Sequence, residues 1–92
     1  MSAAPAAFVE KLAALPEGSF TAQAHGQKYI VTKASFSQGR SIKLVAEELC
    51  GTDYISLNLY DLSKGAQVYP CEMPLAKVLA FVQELSLAQD AG

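Results

Sequence analysis

Cys50, Cys71 and His25 are the side chains from which metal or redox chemistry could be built, and they are the chain's full set of cysteines and histidines. Thiolate and imidazole are zinc ligands, and thiolates exchange with disulfides. Cys71 lies in YPCEMP, residues 69–74, where it is followed by an acid and a thioether between two prolines. Glu47, Glu48, Asp53 and Glu72 stand near the same residues in sequence. Paired carboxylates can do acid–base work when one is held protonated, but Glu47 and Glu48 are consecutive, and in a strand they point to opposite faces. The chain has no glycine-rich phosphate loop, GxSxG, CxxC, HExxH or EF-hand pattern. A Ser–His–Asp triad could use only His25. These residues therefore assign no catalytic role and imply no cofactor; a thiol or metal site at Cys50, Cys71 and His25 is the one chemistry they leave open.

Positioning such residues falls to elements that are readable in the sequence. Pro5 suits the first position of a helix, and Phe8, Leu12 and Leu15, with Val9 beside them, recur at helical spacing until Pro16 and Gly18 stop the pattern. A helix over about 5–15 follows. The period then changes to two. Strands are expected over 19–25, 27–36, 41–49, 54–60 and 66–70, separated by His25–Gly26, SQGR (37–40), CGTD (50–53) and DLSKG (61–65). Pro74 suits the start of a second helix, over 74–88, in which Leu75, Val78, Leu79, Val82 and Leu85 form the apolar stripe. YPCEMP is then the hand-over from the last strand to that helix. Pro70, which cannot donate to a ladder, marks the strand end. Lys77 and Phe81 fall off the main stripe and pack in the core or serve a partner.

Short connections imply an antiparallel meander. The fold class is α+β: a five-stranded antiparallel sheet flanked by an N-terminal and a C-terminal helix, α-β-β-β-β-β-α, in one domain spanning 1–92. Strands one, three and five run the same way, so His25, Cys50 and Cys71 all emerge at one end. Alternate strands lie about 10 Å apart, whereas a disulfide needs Cα atoms within about 7 Å, so a flat sheet keeps Cys50 and Cys71 separate.

The strand facing divides the tyrosines. Phe20, Ala22 and Ala24, then Ile42, Leu44 and Ala46, then Ile55, Leu57 and Leu59 read as the core face. In the second strand Ile30, Ala34 and Phe36 are assigned inward. The opposite face then carries Tyr29, Val31, Lys33, Lys43, Val45, Leu49, Tyr54, Tyr60 and Tyr69, which is too apolar for a face left in water. Tyrosine-rich patches with a polar rim are how protein interfaces look, and bases also stack on strand aromatics while nearby cations follow the phosphates.

The bulk composition narrows the classes. The chain is 51% hydrophobic and 17% charged, with net charge −2. This is no disordered polymer, and it lacks the basic excess of a duplex-DNA binder. Within the sheet segment Lys28, Lys33, Arg40, Lys43 and Lys64 are balanced by Glu47, Glu48, Asp53, Asp61 and Glu72. The start, MSAAPAAFVEKLAAL, has no basic n-region, and Glu10 and Lys11 interrupt it, so neither a signal peptide nor a membrane span is expected. The default compartment is a reducing cytoplasm with free thiols. The expected function is a small non-catalytic cytoplasmic binding domain that forms a homo-oligomer or meets a partner protein through Tyr29, Val31, Lys43, Val45, Tyr54, Tyr60 and Tyr69. The alternative is single-stranded nucleic-acid binding on that face. A sheet followed by a helix is similar in order to Whirly and Pur-type single-strand binders, a likeness of topology that transfers no residue.

Overall fold

The structure, a computed structural model, describes residues 2–38, 40–60 and 65–87, with the side chains of Ser2 and Ala3 excepted. Part of the 61–65 loop, with Asp61 and Lys64, and the expected helix end at Ala88 lie outside the described residues. The elements in chain order are β1 (Ser2–Ala3), α1 (Ala6–Ala14), β2 (Gly18–Ala24), β3 (Gln27–Phe36), β4 (Ser41–Glu48), β5 (Tyr54–Tyr60), β6 (Gln67–Pro70), α2 (Leu75–Glu84) and β7 (Ser86–Leu87). This is the expected α+β architecture with two short strands added. Both helices begin one residue later than the prolines suggested. Pro5 and Pro74 are N-caps with extended backbone, and the Pro5 carbonyl accepts the Val9 amide at 3.1 Å.

Strands β2 to β6 form the meander, every neighbouring pair antiparallel, and the full sheet order is β1-β6-β5-β4-β3-β2-β7. The β2–β3 hairpin turns on His25 and Gly26, both with positive φ, 54° and 78°. Such a two-residue turn matches the right-handed strand twist, and Gly26 adopts it without strain. The second expected helix was too long: α2 stops at Glu84, and Ser86–Leu87 turns back to pair with Gln23 and Ala22 of β2. At the opposite edge Ser2 and Ala3 pair with Val68 and Gln67 of β6. Each outer strand is thereby partly covered by a two-residue segment, which reduces its free backbone donors and acceptors.

Both helices lie on one face of the sheet. Phe8, Leu12 and Leu15 of the first helical segment and Val78, Phe81, Val82 and Leu85 of the second join Ala22, Ala24, Val31, Leu44, Ala46, Ile55, Leu57, Leu59 and Val68 in a single buried cluster. Phe81 belongs to the core rather than to a partner surface: it is 1% exposed and meets Tyr29 edge-on, ring centroids 4.9 Å apart. Where α1 and α2 run side by side, Lys11 Nζ donates to the Gln83 carbonyl at 2.8 Å. Beside that contact is a shallow apolar groove of about 390 Å³ lined mainly by Pro5, Phe8, Leu79 and Val82.

The facing of β3 is opposite to the sequence expectation. Tyr29 and Val31 point into the core, 2% and 0% exposed, while Ile30 and Phe36 point out. The register fixes this: Val31 pairs with Ala22-side Phe20 and with Ala46, both inward residues. Lys33 shares the inward face and is 4% exposed. Its stem is covered by the core, and its ammonium reaches the C-terminus of α1, donating to the Ala13 carbonyl at 2.9 Å and the Leu15 carbonyl at 2.7 Å. Glu17 lies 3.9 Å away. A cation here satisfies helix-end carbonyls that have no partner within the helix, at the negative end of its dipole. A buried lysine is tolerated because its ammonium is hydrogen-bonded to two carbonyls with a carboxylate nearby.

Candidate functional site

Strand alternation places a second set of side chains on the face away from the helices. Cross-strand pairing resolves that face into rows. One row holds Thr21, Ile30, Glu47 and Tyr54. The next holds Ser19, Thr32, Val45 and Ser56. A third holds Ala34, Lys43, Asn58 and Tyr69. Beyond the third row, at one end of the sheet, Phe36 is paired with Ser41, and Tyr60 with Gln67. Leu49 continues the outward alternation of β4 and donates its amide to the Lys28 carbonyl at 2.9 Å.

Among the described residues no helix covers these rows. Among the described residues the exposed large hydrophobic side chains are Ile30, Phe36, Leu49, Tyr54, Tyr60 and Leu87, at 38–52% exposure. All but Leu87 belong to this face. Tyr60 and Tyr69 pack edge-on with centroids 5.2 Å apart, which fixes two phenol rings in orientation. Ser19 and Thr32 hydroxyls lie 3.1 Å apart. The charged side chains in the central rows are one of each sign, Lys43 and Glu47, both exposed.

Of the expected interaction residues, Lys43, Val45, Tyr54, Tyr60 and Tyr69 are on this open face, Val45 and Tyr69 half-buried. Tyr29 and Val31 are not; they support it from behind. Ile30 and Phe36 take their place and were missed by sequence reasoning. The one local signal, Lys28 alternating outward with Ile30 and Phe36, is cancelled by Lys33 on the opposite parity.

The thiol and acid candidates distribute differently. Cys50 is exposed, Cys71 half-buried, and both are free. They stand on opposite sides of β5, as the spacing argument requires, but not at one end: β6 stops early, so Cys71 is level with Ser56 and Val45, whereas Cys50 and His25 lie beyond the Glu48 row. Among the described residues no three His, Cys, Asp or Glu side chains converge as a metal-ligating group. Cys71 continues the ladder beyond Pro70, donating its amide to the Ser56 carbonyl at 3.0 Å, and Asn58 Nδ2 donates to its sulfur at 3.6 Å. Glu72 takes a left-handed φ of 61°, so YPCEMP is a tight strand-to-helix corner. His25 is an exposed turn residue.

At the β4–β5 turn the acids are organised around Asp53. Tyr29 donates its hydroxyl to Asp53 Oδ2 at 2.6 Å, and Lys77 Nζ meets Oδ1 at 2.8 Å. The Asp53 amide donates to Glu48 Oε1 at 3.2 Å. Gly51 leaves room for that carboxylate, because a Cβ there would collide with it. Lys77 thereby ties α2 to the turn, and Tyr29 ties the inner face of β3 to it. Bonds from Lys77 and then Tyr29 hold the Asp53 carboxyl below its usual range, against the opposing effect of burial. Burial first, and then the hydrogen bond to Asp53, pushes the Tyr29 phenol well above its usual range.

The pH consequences have opposite signs. A lowered acid pKa contributes stability above the unfolded-state value, about 3.9 for Asp, and loses it as pH falls through the folded value. A raised phenol pKa contributes below the unfolded-state value, about 10, and loses it as pH rises beyond. In urea unfolding, the stability gap between the parent and Asp53→Asn should be constant at neutral pH and shrink below about pH 4. The gap between the parent and Tyr29→Phe should shrink above about pH 10. Gaps that are flat at both ends would show that the contacts do not hold these protonation states.

Among the described residues no helix is long and apolar enough to cross a membrane. Compared with protein families, curated proteins and solved structures, the chain finds no match.

Proposed function

We propose that the protein is a non-catalytic interaction domain that pairs with a second copy of itself through the open face of its sheet. The observation that carries this reading is the gathering of Ile30, Phe36, Leu49, Tyr54 and Tyr60 on one uncovered surface. A monomer in water gains nothing from such a patch, and patches of this kind mark interaction sites. Five strands at about 4.8 Å spacing and seven residues at about 3.3 Å rise make a face of roughly 24 by 23 Å in projection. Side-chain relief brings this towards the about 800 Å² per partner of a standard interface. The mixed charge of the central rows also suits a like partner better than a polyanion.

Light scattering across a concentration series tests the reading. The parent should weigh as a dimer, and Tyr54→Glu, which places a charge on an already exposed position, should weigh as a folded monomer. A parent that stays monomeric throughout overturns the proposal. So does salt-sensitive binding of labelled single-stranded DNA or RNA that is lost in Lys43→Ala, because the face would then be a stacking platform for nucleic acid.

A further inference from the structure

We infer that the two copies meet with their β4 strands antiparallel, about a twofold axis crossing β4 at Val45, in a register set by reciprocal Lys43–Glu47 pairs. This rests on the open face being the homodimer interface, and adds how the copies recognise one another.

In the order β1-β6-β5-β4-β3-β2-β7, β4 is the central strand, with three strands on either side. Val45 lies near its middle, outward and half-buried, with Lys43 two residues before and Glu47 two residues after on the same face. A dimer interface with twofold symmetry places residue i against j and j against i. For two sheets packed face to face with aligned strands, the axis lies between them, either along β4 or across it. An axis along β4 stacks Lys43 on its own copy and Glu47 on its own copy, two like-charge contacts. An axis across β4 at Val45 stacks each Lys43 on the other copy's Glu47. The two charges are about 13 Å apart along the strand, and sheets pack about 10 Å apart, within reach of a lysine and a glutamate extending towards each other.

The neighbouring strands fit the same operation. In β3, Ile30 shares the Glu47 row and Ala34 the Lys43 row, so a large side chain meets a small one. In β5, Tyr54 shares the Glu47 row and Asn58 the Lys43 row, so a phenol meets an amide. At the ends of β3, Lys28 and Phe36 are related in the same way, placing a lysine stem over an aromatic ring. Complementarity of charge and size over three strands comes from one axis position.

Charge reversal tests it. Lys43→Glu and Glu47→Lys each turn both pairs repulsive in their own homodimer, and each should weaken self-association by at least about tenfold. An equimolar mixture of the two variants restores opposite charges at every contact and should dimerise, as should the double variant K43E/E47K alone. Both positions are exposed, so circular dichroism should show unchanged folds. A spin label on exposed Cys50, in a Cys71→Ser background, gives a second reading. Labels should lie about 30 Å apart or more across β4-antiparallel copies, against about 10 Å if the strands ran parallel. A parent dimer indifferent to both reversals but broken by Tyr54→Glu overturns this register and leaves the interface standing. A parent that never dimerises overturns the interface and the register together.

Discussion

Phe81→Ala is expected to lower the free energy of unfolding by about 3–5 kcal/mol, the range for removing a buried aromatic side chain. Phe81 is 1% exposed, on the face of α2 that meets the sheet, and its ring is set edge-on against Tyr29. The change opens a cavity between helix and sheet that rigid strands cannot fill, and it removes the neighbour that orients the Tyr29 ring. A domain of 92 residues has a total stability of roughly 5–14 kcal/mol, so this single change takes a large part of it. Phe81→Leu keeps most of the apolar volume and should lose well under half as much. Urea unfolding followed by circular dichroism reads both, with the midpoint moving and the slope unchanged. A loss below about 1 kcal/mol for Phe81→Ala would mean that α2 is not seated through this residue.

The second large effect is expected at Lys33, and two substitutions separate its causes. Lys33→Ala removes the buried stem and the ammonium together, leaving the Ala13 and Leu15 carbonyls without their donor. Lost packing and unsatisfied acceptors together should lower stability by about 2–4 kcal/mol. Lys33→Met keeps an apolar stem of similar length and removes only the charge and its donors, so it isolates the cap at about 1–3 kcal/mol. Burying an ammonium carries its own desolvation penalty. A Lys33→Met protein as stable as the parent would therefore show that the penalty cancels the helix-end contacts. A Lys33→Ala protein as stable as the parent would mean that α1 is held by Phe8 and Leu12 alone.

These two residues also show where sequence reasoning reached its limit. The alternation of Ile42, Leu44 and Ala46 and of Ile55, Leu57 and Leu59 was unambiguous, because in each strand one parity holds three successive apolar residues and the other carries most of the polar ones. Strand β3 has apolar residues on both. Tyr29 and Val31 compete with Ile30, Ala34 and Phe36, and Lys33 on the Tyr29 side argues for solvent. What reverses the choice is tertiary: a helix end within reach of Lys33 Nζ, and a carboxylate within reach of the Tyr29 hydroxyl. Both partners lie far away in sequence, so no local pattern reports them. The same holds for the edge strands. Two paired residues, Ser2–Ala3 or Ser86–Leu87, are too short for any periodicity, and their pairing partners are chosen by the finished sheet. The open face itself was legible, since Val45, Tyr54, Tyr60 and Tyr69 were assigned to it correctly. Its most exposed large hydrophobic side chain, Phe36, was lost with the facing of β3.

The edge strands have a mechanical consequence. Because β1 and β7 occupy opposite margins of the sheet, six inter-strand steps separate them, about 29 Å at 4.8 Å each. Tension applied between Ser2 and Leu87 acts mainly across the strands, with an offset of about 20 Å along them, because Ser2 is level with Ile42 and Leu87 with Glu48. Backbone hydrogen bonds are then loaded in succession, a pair at a time, beginning with the two-residue ladders at each margin. A chain stretched in this direction opens like a zip at low force, whereas the same meander sheared along β4 would resist with a whole ladder at once.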